Sequence, residues 1–341
     1  MIIFALETSC DETAAAIVED GTREISSVLA TSEAFHQKTG GIVPEVAARK
    51  QVETVIPVIE ETLTKAVDVL GVSSTNDVIN KIDAVAATVG PGLIGSLIVG
   101  VEAAKALALA WNKPLVPVNH LVGHIYGNFV GSQKEIIFPA IALIVSGGHT
   151  DLVLMRGHND LTYLGGTLDD AAGEAFDKTA RLLGIKGYYG GKALSDLAAT
   201  CKENTILGKL PRPMLDKDGF DFSFSGLKTA VRNLVEKSNV PVEVISKEFE
   251  DAVVDVLVAK TLNAAHKYNV SSILLAGGVS ANSQLRTRME LESGHFNLHV
   301  PPIHLCTDNA IYIASAAFFN FNPKPFASVK ADPSLSVMDK A

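Results

Sequence analysis

The chain has 341 residues, of which 47% are hydrophobic, and a formal net charge of -9 at pH 7. At about 150 residues per domain this length predicts two packed lobes, and the composition excludes a low-complexity chain. The acidic balance argues against strong nucleic-acid binding by this chain alone, because neutralisation of phosphates supplies most of that affinity.

The predicted elements alternate between strands and helices. The first half of the chain predicts strands at 2–6 and 14–18, a helix from Pro44 through 66, a strand at 82–88, a helix at 93–110 and a strand at 115–118. The second half predicts strands at 141–145, 152–155 and 161–165, helices at 171–183, 194–201, 227–237 and 246–266, and a strand at 273–275 before a helix that begins near Asn282. This alternation predicts an α/β fold.

Two of the predicted hairpins have the same form, a strand, a turn of small residues and a return strand. The first turn follows residue 6, and the second is Ser146-Gly147-Gly148-His149-Thr150. Further glycine turns at 90–96 and 276–282 also follow predicted strands, and turns of this kind direct backbone amides at anions. The recurrence predicts two similar lobes around a nucleotide cleft. We assign 1–118 to the first lobe, with 309–341 packing back onto it, and 119–308, including the candidate metal ligands, to the second.

Two histidines and a distant acid form a candidate metal site. His120 and His124 lie four residues apart, so a helix would direct both rings from one face. Together with Asp308 they provide two nitrogens and a carboxylate, which suit Fe(II) or Zn(II) and leave positions open for substrate. An isolated pair at this spacing is more often packed structurally, but the neighbouring glycine turns favour the metal site.

Cysteine content and hydropathy favour a cytoplasmic location. Three cysteines, Cys10, Cys201 and Cys306, provide no disulfide framework. Glu102 and Lys105 interrupt the apolar stretch at 93–110, so a buried core helix is expected there rather than a membrane span. No leader pattern is found at the start of the sequence.

Nine segments of the chain form a recognisable set. They lie at 7–13, 41–45, 90–93, the histidine pair, 145–150, 169–178, 221–228, 277–282 and 306–309. Together they resemble the bacterial TsaD family of tRNA N6-adenosine threonylcarbamoyltransferases, and the resemblance runs from about residue 2 to residue 317. The resemblance implies a two-lobed α/β fold of the actin, Hsp70 and sugar-kinase type. It also implies a metal-assisted transfer of the threonylcarbamoyl group from threonylcarbamoyl-adenylate to N6 of adenosine 37, in tRNAs that read ANN codons.

The resemblance also implies roles for particular residues and partners. His120, His124 and Asp308 are expected to hold one divalent metal ion. From their place in the turn, Asp11 and Glu12 are candidates to orient the reacting groups or accept a proton, and the alternative is that they are solvated turn residues. The donor-binding residues implied are Ile144, Val145, Ser146, Gly147, Gly148, Asp177, Gly191 and Asn282. The expected partners are the tRNA anticodon loop, a TsaB-like paralogue and a TsaE-like ATPase, with no membrane.

The chain departs from the family pattern in two places. The donor loop carries an extra residue at Gly187-Tyr188-Tyr189, followed by Lys192 in place of proline and by Ser195 at a commonly acidic position. The segment after Phe319 lacks the usual basic tail. Limited basic groups, at 49–50, 178–181, 186–192 and 209–212, are the candidates for an RNA-binding patch.

Three alternatives remain open from the residues alone. A small-molecule kinase of the same fold would share the phosphate turns but would not need the histidine pair. A metallopeptidase would use the metal, although the sequence has no His-Glu-x-x-His helix. A non-catalytic nucleotide-binding scaffold would retain nucleotide when the metal is removed.

Overall fold

The computed structural model describes residues 1–32, 42–132, 134–186 and 190–341. Gly41 and the Gly187-Tyr188-Tyr189 insertion, which the sequence analysis singled out, lie outside the described residues. The chain divides into two compact units, one formed by 1–135 with 302–341 and the other by 136–301.

The first unit is built on a five-stranded sheet in the order β3-β2-β1-β4-β5. Its strands are β1 (Ile2–Glu7), β2 (Glu12–Glu19), β3 (Arg23–Thr31), β4 (Ala84–Gly90) and β5 (Leu115–Asn119). β1 pairs antiparallel with β2 and parallel with β4, which brings Glu7 next to the end of β4. The alternation of β1 directs Phe4 and Leu6 into the main core of the unit and Glu7 to the opposite face.

Among the described residues, five α-helices belong to the first unit. They are α1 (Pro44–Leu70), α2 (Thr75–Lys81), α3 (Ile94–Trp111), α4 (His120–Tyr126) and α10 (Ala310–Phe319). α1 begins at proline, which suits a first turn, and ends at Gly71 in the left-handed region with φ 62°. α1 and α3 pack on the core face of the sheet, and α10 packs against β1, β2 and α4.

Among the described residues, α3 is the one helix long and apolar enough to cross a membrane by length and composition. One of its faces, including Val101, Ala104 and Ala108, is buried in the core of the first unit. That buried face is the one predicted for a core helix.

The second unit repeats the sheet topology of the first. Its strands are β6 (Ala140–Val145), β7 (Thr150–Gly157), β8 (Asp160–Gly166), β9 (Ser272–Ala276) and β10 (Asn297–His299). The order β10-β9-β6-β7-β8 is the order of the first sheet, with β6 in the place of β1. Its helices are α5 (Ala172–Leu182), α6 (Gly190–Ala198), α7 (Ser225–Lys237), α8 (Val242–Lys267) and α9 (Ser283–Glu292).

The predicted α/β fold with duplicated lobes is confirmed, but the unit boundaries differ from the predicted ones. His120, His124 and Asp308 lie in the first unit and not the second. The reason is packing: Gly123 of α4 lies so close to α10 that a Cβ there would be 2.6 Å from Ile313 Cδ1. α4 therefore packs against α10 and belongs to the first unit, whose sheet α10 covers.

The carboxyl-terminal segment packs against the first unit. The Asp332 amide donates to the Val89 carbonyl at 2.7 Å, and Val329 and Val337 are buried. Gly90, with φ 154°, lies under this segment, and a Cβ there would be 1.8 Å from the Asp332 carbonyl oxygen. The segment beyond α10 thus covers the end of β4.

Candidate metal centre and donor loops

A capped short helix presents both histidines. The Asn119 side-chain oxygen accepts hydrogen bonds from the Leu121 and Val122 amides at 2.9 and 3.4 Å, which satisfies two amides at the start of α4. Its amide nitrogen donates to the Ser336 and Asp339 carbonyls at 2.8 and 3.2 Å. The cap of the histidine helix is thereby tied to the carboxyl-terminal segment.

Asp308 is presented by the turn before α10. The sequence alone makes Thr307 and Asp308 possible caps of this helix, but the cap is Asn309. Its side-chain oxygen accepts from the Ile311 and Tyr312 amides at 3.0 and 3.2 Å. The Asp308 carboxylate is left for other contacts, including the Tyr312 hydroxyl at 3.4 Å.

The three predicted metal ligands converge. Asp308 Oδ1 lies 3.4 Å from His124 Nε2 and 3.6 Å from His120 Nε2, and the three ligand atoms all lie within 4.8 Å of one another. Ligands about 2.0–2.1 Å from a tetrahedral ion are separated by roughly 3.3–3.4 Å. The group can therefore hold a metal ion with little rearrangement.

The electrostatics of this group also fit a cation. Burial lowers the pKa of His120, but the Glu7 and Asp308 carboxylates outweigh it and raise the pKa to about 9. Burial and the neighbouring His120 lower the pKa of His124. Burial favours a higher pKa for Asp308, but the two histidines hold it well below its usual range. No described Lys or Arg forms an ion pair with Glu7 or Asp308, so positive charge at this point has to come from the histidines or from an ion.

Asp11 and Glu12 lie next to this group at the start of β2. Burial, reinforced by Asp308 and Asp11, raises the pKa of Glu12 well above its ordinary value. Burial and the same surrounding carboxylates raise the pKa of the Cys10 thiol, so Cys10 is a poor nucleophile.

Glu7 is a residue that the sequence analysis did not select for the site. It is fully buried at the end of β1, with Oε2 3.1 Å from His120 Nδ1. The sequence did contain a signal for Glu7, because an acidic residue ends an otherwise apolar strand. A charge buried at such a position requires a partner.

The predicted donor residues lie in the second unit, beginning with the turn after β6. The Ser146 amide donates to the His149 carbonyl at 2.8 Å, and the His149 amide donates to Ser146 Oγ at 3.1 Å. Gly147 and Gly148 are exposed, neither has a positive φ, and no described heavy atom lies within 4 Å of a Cβ built on either. The described structure therefore gives no conformational or packing reason for glycine at these two positions.

Other elements close around this turn. The Gly173 amide at the start of α5 donates to the Ser146 carbonyl at 3.2 Å. Gly277 has φ 85°, and a Cβ there would lie 2.5 Å from the Val145 carbonyl oxygen. These glycines permit close approach of α5 and of the turn after β9 to the end of β6, which contains Ile144 and Val145.

The remaining predicted donor residues, Asp177, Gly191 and Asn282, form hydrogen bonds at the starts of α6 and α9. Asp177 Oδ1 accepts from the Gly191 amide of α6 at 2.7 Å. The Asn282 side-chain oxygen caps α9 through the Leu285 amide at 2.8 Å. The Asn282 amide group donates to Ser195 Oγ at 3.0 Å and to Glu250 Oε1 at 2.7 Å. Glu250 thus supplies a carboxylate beside Ser195, the position where the family pattern commonly has an acid.

Five residues of the candidate basic patch form ion pairs within the chain. Arg49 pairs with Glu45, Lys50 with Glu53, Lys178 with Asp170 and Glu174, Lys192 with Asp196, and Arg212 with Glu248 and Asp255. These pairs offset part of the positive charge at five of the candidate positions, and the exposed ones, such as Arg49–Glu45 and Lys192–Asp196, are weak.

Comparison with known proteins assigns the chain to a family. The TsaD family model, described as tRNA N6-adenosine threonylcarbamoyltransferase, matches residues 24–315. The chain is 46% identical to the Thermomicrobium roseum enzyme of that name, covering 94% of this chain and 92% of the relative. It is 47% identical to the Bacillus subtilis enzyme of that name, covering 94% of this chain and 91% of the relative. The chain belongs to the TsaD family.

Solved structures of other proteins share the fold of this TsaD-family chain. Full-length HypF in its phosphate- and nucleotide-bound form has a TM-score of 0.62 at 13% identity, covering 94% of this chain and 46% of HypF. Component A of (R)-2-hydroxyglutaryl-CoA dehydratase from Acidaminococcus fermentans has a TM-score of 0.52 at 14% identity, covering 93% of this chain and 97% of that chain. The expected actin-like α/β fold is thus confirmed.

Proposed function

We propose that this chain, a transferase acting on tRNA, moves the threonylcarbamoyl group from threonylcarbamoyl-adenylate to N6 of adenosine 37 in tRNAs that read ANN codons. The N6 amine attacks the carbamoyl carbon, the new C–N bond forms, and the bond to the phosphate oxygen breaks to release AMP and a proton. Family membership supports the reaction class, and the observation that carries the metal assistance is the convergence of His120, His124 and Asp308.

His120, His124 and Asp308 would hold Fe(II) or Zn(II), the ions suited to two imidazole nitrogens and a carboxylate. A bound ion would supply Lewis acidity toward a carbonyl or phosphoryl oxygen. The Tyr312 hydroxyl, 3.4 Å from Asp308 Oδ1, would help to orient this carboxylate toward the two Nε2 atoms. Asn309 caps α10 and does not contact the carboxylate among the described hydrogen bonds.

The turn Ser146-Gly147-Gly148, at the end of the strand with Ile144 and Val145, would hold donor oxygens with its backbone amides as negative charge develops. The open space where side chains at Gly147 and Gly148 would lie supports a close approach by a ligand. Asp177, Gly191 and Asn282 would hydrogen-bond the ribose or adenine.

Asp11 and Glu12 would orient the reacting groups or accept the proton lost by N6. The burial that raises the pKa of Glu12 supports this role, because an ionised carboxylate with a raised pKa is a stronger base than an exposed one. An anticodon-loop base is already partly unstacked, which lowers the cost of presenting its amine.

Partner proteins would supply the RNA affinity that this acidic chain lacks. We infer a TsaB-like paralogue and a TsaE-like ATPase, acting in the cytoplasm where tRNA is modified. Exposed apolar side chains on α1 and α3, including Val52, Ile56, Ile94 and Ile98, offer a surface for one of them. The two helices are in contact there, since a Cβ on Gly95 would lie 3.1 Å from Ala48 Cβ.

The test is incubation of the chain with threonylcarbamoyl-adenylate and unmodified tRNA, with and without the two partners, followed by mass spectrometry of the nucleosides. The modified nucleoside should appear with the partners and disappear when His124→Ala replaces the parent chain. ATP in place of the adenylate, with no partner present, should yield no product. Phosphorylation of a small molecule from ATP would favour the kinase alternative.

A further inference from the structure

Glu7 is a fully buried carboxylate, and each of its described hydrogen-bond partners belongs to the first unit. Oε1 accepts from the Ser9 amide at 2.5 Å. Oε2 accepts from the Thr88 hydroxyl at 2.5 Å and lies 3.1 Å from His120 Nδ1. These partners come from the turn after β1, from β4 and from α4, so the fold fixes the carboxylate from three directions.

The contact with His120 determines which ring nitrogen is available. A carboxylate accepts hydrogen bonds and cannot donate them, so Nδ1 must carry the proton. The lone pair of a neutral ring then lies on Nε2, the atom 3.6 Å from Asp308 Oδ1. By contrast, His124 Nδ1 is buried without a hydrogen-bond partner among the described atoms. The His124 ring packs against the Tyr312 ring, with 4.8 Å between the ring centroids.

We propose that Glu7 is a positioning residue for the metal centre, which holds His120 as the Nδ1–H tautomer and directs Nε2 at the ion. This inference rests on the proposed metal site of the transferase. Partners that orient a ligating histidine typically contribute tenfold to hundredfold in metal affinity. Glu7 also contributes a buried negative charge next to the ring, which favours a cation at the three ligands.

The alternative is a purely structural role, in which Glu7 only organises the turn after β1 through Ser9 and joins it to β4 through Thr88. Two substitutions separate these roles. Glu7→Gln keeps the size and one acceptor oxygen for Ser9, but places a donor group near His120 Nδ1. Thr88→Val keeps the shape of residue 88 and removes a hydrogen bond to the same carboxylate, without changing the group that faces His120.

The experiment measures the Zn(II) dissociation constants of the full-length parent, Glu7→Gln and Thr88→Val by chelator competition at one pH. We expect Glu7→Gln to weaken Zn(II) binding roughly tenfold to hundredfold. Thr88→Val should weaken it less, because the carboxylate that faces His120 Nδ1 remains and still accepts from the Ser9 amide. Thermal melting of the metal-free proteins reports structural damage separately. Equal affinity in Glu7→Gln and the parent, or equal loss in both variants, would overturn the positioning role.

A second measurement does not depend on the folding of Glu7→Gln. In the Zn(II)-loaded parent labelled with 15N-histidine, the His120 Nδ1–H should give a hydrogen-bonded proton signal, assigned by its loss in His120→Gln. A protonated Nε2 in that spectrum would refute the inference. If the parent binds no Zn(II), both the proposed metal site and the positioning role are refuted. If the parent and Glu7→Gln bind Zn(II) equally well, only the positioning role is refuted.

Discussion

The neighbours Asp308 and Asn309 allow metal binding to be separated from helix stability. Asp308 faces both Nε2 atoms at 3.4 and 3.6 Å, whereas Asn309 caps α10. We expect Asp308→Asn to keep the fold, because the substitution preserves shape and leaves the cap intact. Metal affinity should fall by roughly a hundredfold or more, since losing a direct anionic ligand should cost at least as much as losing an orienting partner.

Asn309→Ala is the matched control. It removes an acceptor from two helix amides at 3.0 and 3.2 Å, a loss that typically costs about 1 kcal/mol and at most about 2 kcal/mol. For a folding unit of about 150–250 residues, the range in which the first unit falls, each 1 kcal/mol lowers the Tm by about 2–4 °C. Its three metal ligands remain, so its metal affinity should stay much closer to that of the parent than the affinity of Asp308→Asn.

The assay combines metal analysis with thermal melting of chelator-treated protein, so that bound metal does not contribute to the Tm. Added Zn(II) should then raise the Tm of the parent and of Asn309→Ala but not that of Asp308→Asn. The reasoning is refuted if Asp308→Asn binds metal as tightly as the parent, or if Asn309→Ala loses metal to the same extent.

Three further predictions concern other parts of the chain. The pKa of His120 is raised from 6.5 to about 9 in the metal-free fold, so its stabilising charge is fully present below pH 6.5 and is lost as the pH rises through 9. The Tm difference between the parent and His120→Gln should therefore shrink across that window, and a pH-independent difference would contradict this prediction. Gly148→Val should abolish nucleotide binding in calorimetry while Tm and metal content stay near parental values, because a side chain there meets no described atom; undiminished affinity would remove this turn from the donor site. Gly123→Val should lower both Tm and metal content, because the new side chain would meet Ile313 and Tyr312 at less than 3 Å and separate α4 from α10; a parental Zn(II) affinity would show that this packing does not set the ligand positions.

Local sequence patterns predicted much of the fold because the strongest elements are apolar runs with clear ends. The hairpins that begin with β1 and β6 were predicted from such runs. The helix at His120 and His124 was only a condition of the metal-site prediction, although the capping residue Asn119 precedes it in the sequence. β3 was missed because its pattern is half exposed, and Ser26 and Ser27 interrupt it. α2 was missed because Val78 is its one buried residue.

The site was less predictable wherever it depends on contacts between distant segments. Glu7 meets Thr88 and His120 across 81 and 113 residues of chain, and no local pattern encodes those separations. Asn309 and Asp308 are both acceptable helix caps by residue type, so the sequence cannot assign one to the cap and the other to the metal ligands. Glu250 lies in the middle of a helical pattern, and its approach to Asn282 depends on how α8 packs beneath α9.

The tie between Asn119 and the carboxyl-terminal segment has a consequence for sequence change. The Asn119 amide donates to the main-chain carbonyls of Ser336 and Asp339, and the Asp332 amide donates to the main-chain carbonyl of Val89. Every residue type supplies these main-chain groups. The contacts therefore constrain the path of the segment and place little constraint on which residues occupy it at these positions. A tail that lacks the usual basic residues can therefore still contact the histidine helix through its main chain. We expect deletion of the segment to disturb that helix more than substitution of its exposed side chains.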